Sequence, residues 1–98
     1  MKQLRVHPGV LLEAEAAVEW YGRRSPRAAL RFLDEFRSAI QRIREAPEEF
    51  PRLAFDTRRI VLRHFPYIAV FHETESMMEI AAVAHGRRRP DYWRERLT

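Results

Sequence analysis

Apolar residues recur along this chain at two spacings, and the change from one to the other near Thr57 separates a helical part from a strand part. Leu4 to His7 alternates and is cut off by Pro8-Gly9, which predicts a short first strand. From about Val10 to Tyr21, residues Val10, Ala14, Ala17, Val18 and Tyr21 fall at helical spacing. Glu13, Glu15 and Glu19 are assigned to other faces of that helix and Gly22 to its stop. Ser25-Pro26 reads as an N-cap with proline in the first turn of a second helix. There Ala29, Phe32, Leu33, Phe36, Ala39, Ile40 and Ile43 form a stripe at steps of three and four, Arg27, Arg31, Glu35, Arg42 and Glu45 take the wet side, and the helix ends before Pro47. Beyond a loop over Glu48–Asp56 the period becomes two. Ile60 and Leu62, then Ile68 and Val70, mark two strands joined through His64-Phe65-Pro66-Tyr67. After a polar turn at Glu73–Ser76, Met77–His85 is a third strand, apolar nearly throughout over Ile80 to Ala84, as burial on both faces requires.

The predicted architecture is α+β with two layers: β-α-α-β-β-β plus a short C-terminal helix, the helical hairpin (about 10–23 and 26–46) lying on an antiparallel sheet with strands near 57–63, 67–73 and 77–85. A chain of 98 residues makes one domain, 1–98, with a single modest core, and 46% hydrophobic residues are enough to fill it. The absence of cysteine excludes a disulfide framework, a thiolate nucleophile and a cysteine-ligated zinc site. His7, His64, His72 and His85 have no metal-ligand spacing, and the glycines at 9, 22 and 86 form no phosphate-binding loop, so neither metal nor cofactor is expected. No apolar run spans a bilayer and no signal-peptide core follows Met1, which makes the cytoplasm the expected compartment.

Charge changes the picture at the C-terminal end. Residues 1–56 carry 10 Lys or Arg against 9 Asp or Glu and residues 57–98 carry 8 against 5, so most of the net charge of +4 lies in the second half. The last strand runs through Val83-Ala84-His85-Gly86 into Arg87-Arg88-Arg89-Pro90-Asp91-Tyr92-Trp93. Guanidinium forks suit phosphates and carboxylates, and Tyr and Trp add stacking area, which makes this segment a candidate contact surface for an anion. A solvated basic tail with Tyr92 and Trp93 folded back on the body fits the same residues equally well. Trp20-Tyr21 and Phe65-Pro66-Tyr67 read as packing aromatics.

Several phrases carry a resemblance: Ala17-Val18-Glu19-Trp20-Tyr21, Ala29-Leu30-Arg31-Phe32-Leu33, Pro47 to Pro51, Arg63-His64-Phe65-Pro66-Tyr67, and Val83-Ala84-His85 leading to Arg89-Pro90-Asp91-Tyr92-Trp93. In this order they resemble the RelE/ParE superfamily of toxins from bacterial type II toxin–antitoxin modules, in particular members known as ParE or plasmid stabilisation proteins. The resemblance covers essentially the whole chain. It implies a toxin that is neutralised by a cognate antitoxin docked along the helical hairpin and sheet in a hetero-oligomer, and that acts on DNA gyrase if ParE-like or, if RelE-like, cuts mRNA on the ribosome. The RelE-like pattern has basic groups where this chain has Val61, Ile68 and Gly86, and only Arg59 and Tyr92 match it. Apolar side chains cannot stabilise a developing phosphorane charge, so the resemblance favours inhibition by binding over catalysis. A variant nuclease would draw on His85 as base with Arg63, Arg87 and Tyr92 around it. A binding toxin would present Arg58, Arg59, Arg63, Arg87, Arg88, Arg89, Tyr92 and Trp93 to its target. A basic nucleic-acid-binding module without toxicity explains the charge but not the aligned phrases.

Overall fold

A computed structural model describes residues 2–97. The elements are β1 (Gln3–Val6), α1 (Pro8–Gly22), α2 (Pro26–Glu45), β2 (Arg58–Val61), β3 (Tyr67–Glu73) and β4 (Met77–His85), with 3-10 turns at Pro47–Glu49, Ala54–Asp56 and Tyr92–Arg96. The sheet order is β1-β4-β3-β2. β2, β3 and β4 form the expected antiparallel meander, whereas β1 joins β4 in parallel, Gln3 opposite Met77, so the whole sheet is mixed. A parallel pair needs a crossover, and the helical hairpin begins it.

The first helix starts earlier than its apolar spacing predicts. Pro8 and Gly9, which read as a turn, form its first turn: proline has no N–H to satisfy, and the Gly9 N–H donates to His7 Nδ1 at 3.0 Å, which gives histidine the capping role. Ser25 caps α2 as predicted, its hydroxyl accepting from the Ala28 N–H at 3.3 Å. Phe32, Phe36, Ala39 and Ile43 are buried along α2. Their layer meets Ala69, Phe71, Ile80 and Val83 on one face of the sheet, and Phe32 sits among Tyr21, Phe65 and Tyr67 with ring centroids 5.9, 5.3 and 5.2 Å away. At Val70/Phe71 the β3–β4 register shifts and leaves Ala81 without a partner. Val70, Ala81 and Ala82 form a second, smaller apolar cluster, covered by Trp93.

Glu35 departs from its predicted wet position. It is half-buried and reaches from α2 to the end of β2, accepting the N–H groups of Arg63 and His64 at 3.0 Å each and lying 2.5 Å from His64 Nδ1. At the other end of that edge the Arg59 N–H donates to the Pro51 carbonyl at 3.1 Å, so much of the outer edge of β2 is occupied from within the chain. Burial alone would raise the Glu35 carboxyl, but the His64 N–H, the His64 ring and the Arg63 N–H hold it below its ordinary value of 4.5. A depressed folded value means that the contribution of Glu35 to stability is full above that pH and fades as pH falls through the folded value. Glu35→Gln is therefore expected to flatten the acid limb of a plot of melting temperature against pH; superimposable limbs would refute this role.

Among the described residues no helix is long and apolar enough to cross a membrane.

Candidate functional site

After β4 the chain turns back over the sheet. The Gly86 N–H donates to the Pro66 carbonyl at 2.8 Å and the Arg88 N–H to the His85 carbonyl at 3.0 Å. Asp91 takes a left-handed backbone, φ 67°, and starts the Tyr92–Arg96 turn. That turn lays Trp93, 5% exposed, against Val70, Ala81 and Ala82, with Tyr92 edge-on to it at 5.8 Å. Both aromatics are thus folded back on the body, and in this conformation Trp93 offers no open area to a partner.

The segment is fastened by Glu13, a residue that the sequence reading placed on an outer face of α1. Its side chain is only 9% exposed. One carboxylate oxygen accepts the Val83 N–H at 3.1 Å and Arg96 Nη1 at 3.0 Å. The other accepts the Tyr92 hydroxyl, Arg96 Nη2 at 3.2 Å and Arg88 Nη1 at 3.4 Å. Arg96 also donates to the Ala81 carbonyl at 2.9 Å, and the Arg88 guanidinium lies 3.7 Å from the centre of the Tyr92 ring. Spacing could have found Glu13, because it lies three residues after Val10 and four before Ala17, on the buried side of α1. Burial, and then the hydrogen bond to Glu13 and its negative charge, push the Tyr92 phenol far above its ordinary value, with Arg88 and Arg96 opposing.

The remaining candidates divide by what already holds them. Arg58 is half-buried and donates to the Phe50 carbonyl at 2.7 Å and the Glu48 carbonyl at 3.3 Å, which ties the loop before β2. Arg59, Arg63, Arg87 and Arg89 are exposed. Because β2 and β4 both run antiparallel to β3, Arg63 and Arg87 come to one end of the sheet with β3 between them, while Arg58 and Arg59 start β2 toward the other end. His85 shares the first end. Its ring packs edge-on to Tyr67 at 5.3 Å and its Nδ1 accepts the Arg87 N–H at 3.1 Å, so the neutral ring carries its proton on Nε2 and the lone pair a base needs is engaged. Among the described residues no group of three His, Asp or Glu is arranged to hold a metal ion.

The sequence does not single out the residues of two surfaces: those on the helical hairpin, where the resemblance implies antitoxin docking, and those in the loop before β2. On α1, Leu11 and Leu12 are 58% and 68% exposed and border an apolar groove between the helices that continues past Val18, Leu33 and Ile40. Isolated exposed leucines are ordinary, but a pair beside an apolar groove makes a contiguous exposed apolar patch. In the loop before β2, Phe55 has a left-handed backbone, φ 60°, a strained setting for a bulky residue, with the Arg94 guanidinium 4.5 Å from its ring centre.

The family model for the ParE toxin of type II toxin-antitoxin system, parDE, matches residues 4–90. Toxin ParE2 of Mycobacterium tuberculosis, from strain CDC 1551 / Oshkosh and equally from strain ATCC 25618 / H37Rv, is 34% identical over 91 residues, which covers 92% of this chain and 87% of that protein. A chain of the solved chromosomal ParDE TA system from P. aeruginosa shares the fold with a TM-score of 0.76, covering 87% of this chain and 96% of its own at 16% identity. The groove on the helical hairpin and the folded-back arginine segment therefore belong to a member of the ParE toxin family of type II toxin–antitoxin systems.

Proposed function

We propose that this ParE-family toxin acts in the cytoplasm by binding DNA gyrase, presents its C-terminal arginine segment to that target, and is neutralised by a cognate antitoxin seated in the groove between α1 and α2. The observation that carries binding over catalysis is the engagement of both proton-transfer candidates: His85 Nδ1 accepts a backbone N–H and the Tyr92 hydroxyl donates to Glu13. Arg87 and Arg89 remain exposed for contact, beside the outer side of Arg88. The groove supports the antitoxin site because an amphipathic helix lays its apolar face into a channel of this kind. An acidic, partly disordered antitoxin would approach a toxin of net charge +4 with electrostatic steering, giving an on-rate that falls as salt rises.

One observation favours a second reading, a RelE-like ribosome-dependent mRNA endonuclease: Arg63 and Arg87 share an end of the sheet with His85. Purified toxin assayed on gyrase supercoiling and on translating ribosomes separates the two. Inhibited supercoiling that His85→Ala leaves within about threefold is the expected result, since a contact outside a hot spot contributes little. mRNA cleavage abolished by His85→Ala, with supercoiling untouched, would transfer the function to the nuclease.

A further inference from the structure

We infer that Glu13 is the positioning residue of the toxin's C-terminal segment: a buried carboxylate on α1 that holds Arg88, Tyr92 and Arg96 at once and so sets the posture in which Arg87 and Arg89 meet the target. The inference rests on the proposed role of that segment in target contact and adds the residue that arranges it.

Three observations converge on Glu13. Its two oxygens accept five hydrogen bonds, four of them from side chains at positions 88, 92 and 96. Those positions span the segment from the bend after β4 to the last residue of the Tyr92–Arg96 turn, so one carboxylate holds it at both ends and near its middle. The fifth bond, from the Val83 N–H, anchors the carboxylate to β4, the strand from which the segment departs. Gly9, one turn before Glu13 on α1, completes the seat: a Cβ there would lie 2.5 Å from Arg96 Cζ, 2.6 Å from Nη2 and 2.9 Å from Nη1. Glycine at this helix position costs helical propensity relative to alanine, and the guanidinium it admits is the one that bridges Glu13 to the Ala81 carbonyl. The carboxylate holds Arg88, which is itself half-exposed, but touches neither Arg87 nor Arg89, so it acts on those two only through the fold of the segment.

Trp93 reports that fold. In a Trp20→Phe background it is the sole tryptophan, buried by the same turn that Glu13 fastens. Glu13→Gln keeps the shape of the side chain and removes its charge. Its expected effects are an acrylamide quenching constant for Trp93 raised by about threefold or more and faster trypsin cleavage within residues 87–96, both marks of local opening, with the far-UV spectrum retained. Gyrase inhibition and growth arrest on induction should weaken by about tenfold or more, as when a binding hot spot is lost. Glu75→Gln, in the exposed turn before β4, should change none of these readings. Gly9→Ala supplies a second variant if Glu13→Gln fails to fold. It leaves the carboxylate in place, displaces the Arg96 guanidinium, and should move the same readings in the same direction by a smaller amount.

Trp93 equally protected in both variants would overturn the inference, and so would an exposed Trp93 with growth arrest and gyrase inhibition intact. A wild-type chain that arrests growth without touching gyrase would sink the gyrase reading alone, and Glu13 would then be judged on growth arrest. A wild-type chain that does neither would sink both, whatever Trp93 does.

Discussion

Phe32→Ala is expected to lower the unfolding free energy by about 3–5 kcal/mol, the range for removing a fully enclosed aromatic ring. Phe32 has no exposed surface and is the ring on which the two layers meet, with Tyr21 from α1, Phe36 from α2 and Phe65 and Tyr67 from the junction between β2 and β3 all within ring contact. A void left there is bounded by both layers, so collapse of one helix cannot fill it. The loss is large against the roughly 5–15 kcal/mol that holds a domain of this kind together, and much of the variant should be unfolded well below the wild-type melting temperature. Urea melts monitored by circular dichroism would measure the loss as a shift of midpoint at unchanged slope. A loss under about 1 kcal/mol would mean that the ring is not at the junction of the layers.

Leu12→Glu should have the opposite profile: stability within about 0.5 kcal/mol of wild type, as for an exposed position, and antitoxin affinity lowered by about a hundredfold or more. The first half follows from geometry. Val10, Ala14 and Ala17 are buried along α1, while Leu11 and Leu12 stand out beside the groove. The second half follows from the proposed seat of the antitoxin: a carboxylate placed where an acidic partner would bury apolar surface adds desolvation and repulsion to the loss of contact. Calorimetry with the cognate antitoxin, alongside a thermal melt of the free toxin, would measure both. Unchanged affinity would move the antitoxin site off this part of the hairpin.

The helices and the meander are legible because each has a period of its own, and burial follows that period at Phe32, Phe36 and Ile60. In β3 it does not: Ala69, Val70 and Phe71 are all buried, with Ala69 and Phe71 in the helix-facing core and Val70 in the cluster under Trp93. What was not legible depends on pairings between distant residues. Alternation at Leu4 to His7 fixes which side chains share a face but says nothing of the neighbouring strand or its direction, so the parallel partner of β1 had to come from the structure. Glu13 reads as lying on another face of α1 and Glu35 as lying on the wet side of α2, although the spacing of each places it beside buried residues. Their partners lie 70 to 83 residues away for Glu13 and 28 or 29 for Glu35, far outside any local window. For Trp93 the sequence allows both an exposed contact and a folded-back tail, because nothing in its neighbours announces the cluster of Val70, Ala81 and Ala82 that receives it. Leu11 and Leu12 carried a signal that went unread: α1 is apolar around most of its circumference, more than one buried face needs.

The parallel pairing of β1 with β4 also fixes an order in time. Synthesis runs from the N-terminus, so α1 and α2 leave the ribosome before any of the three strands of the meander. Gln3 must wait for Met77, and Glu13 for Arg96, before the sheet closes and the arginine segment is seated. Contacts between such distant residues are slow to form. The leucines proposed for the antitoxin are therefore present on the nascent chain before the surface proposed for the target can exist. If the groove is the antitoxin's seat, capture can begin while the toxin is still incomplete, and no stage of its synthesis presents the arginine segment without the hairpin.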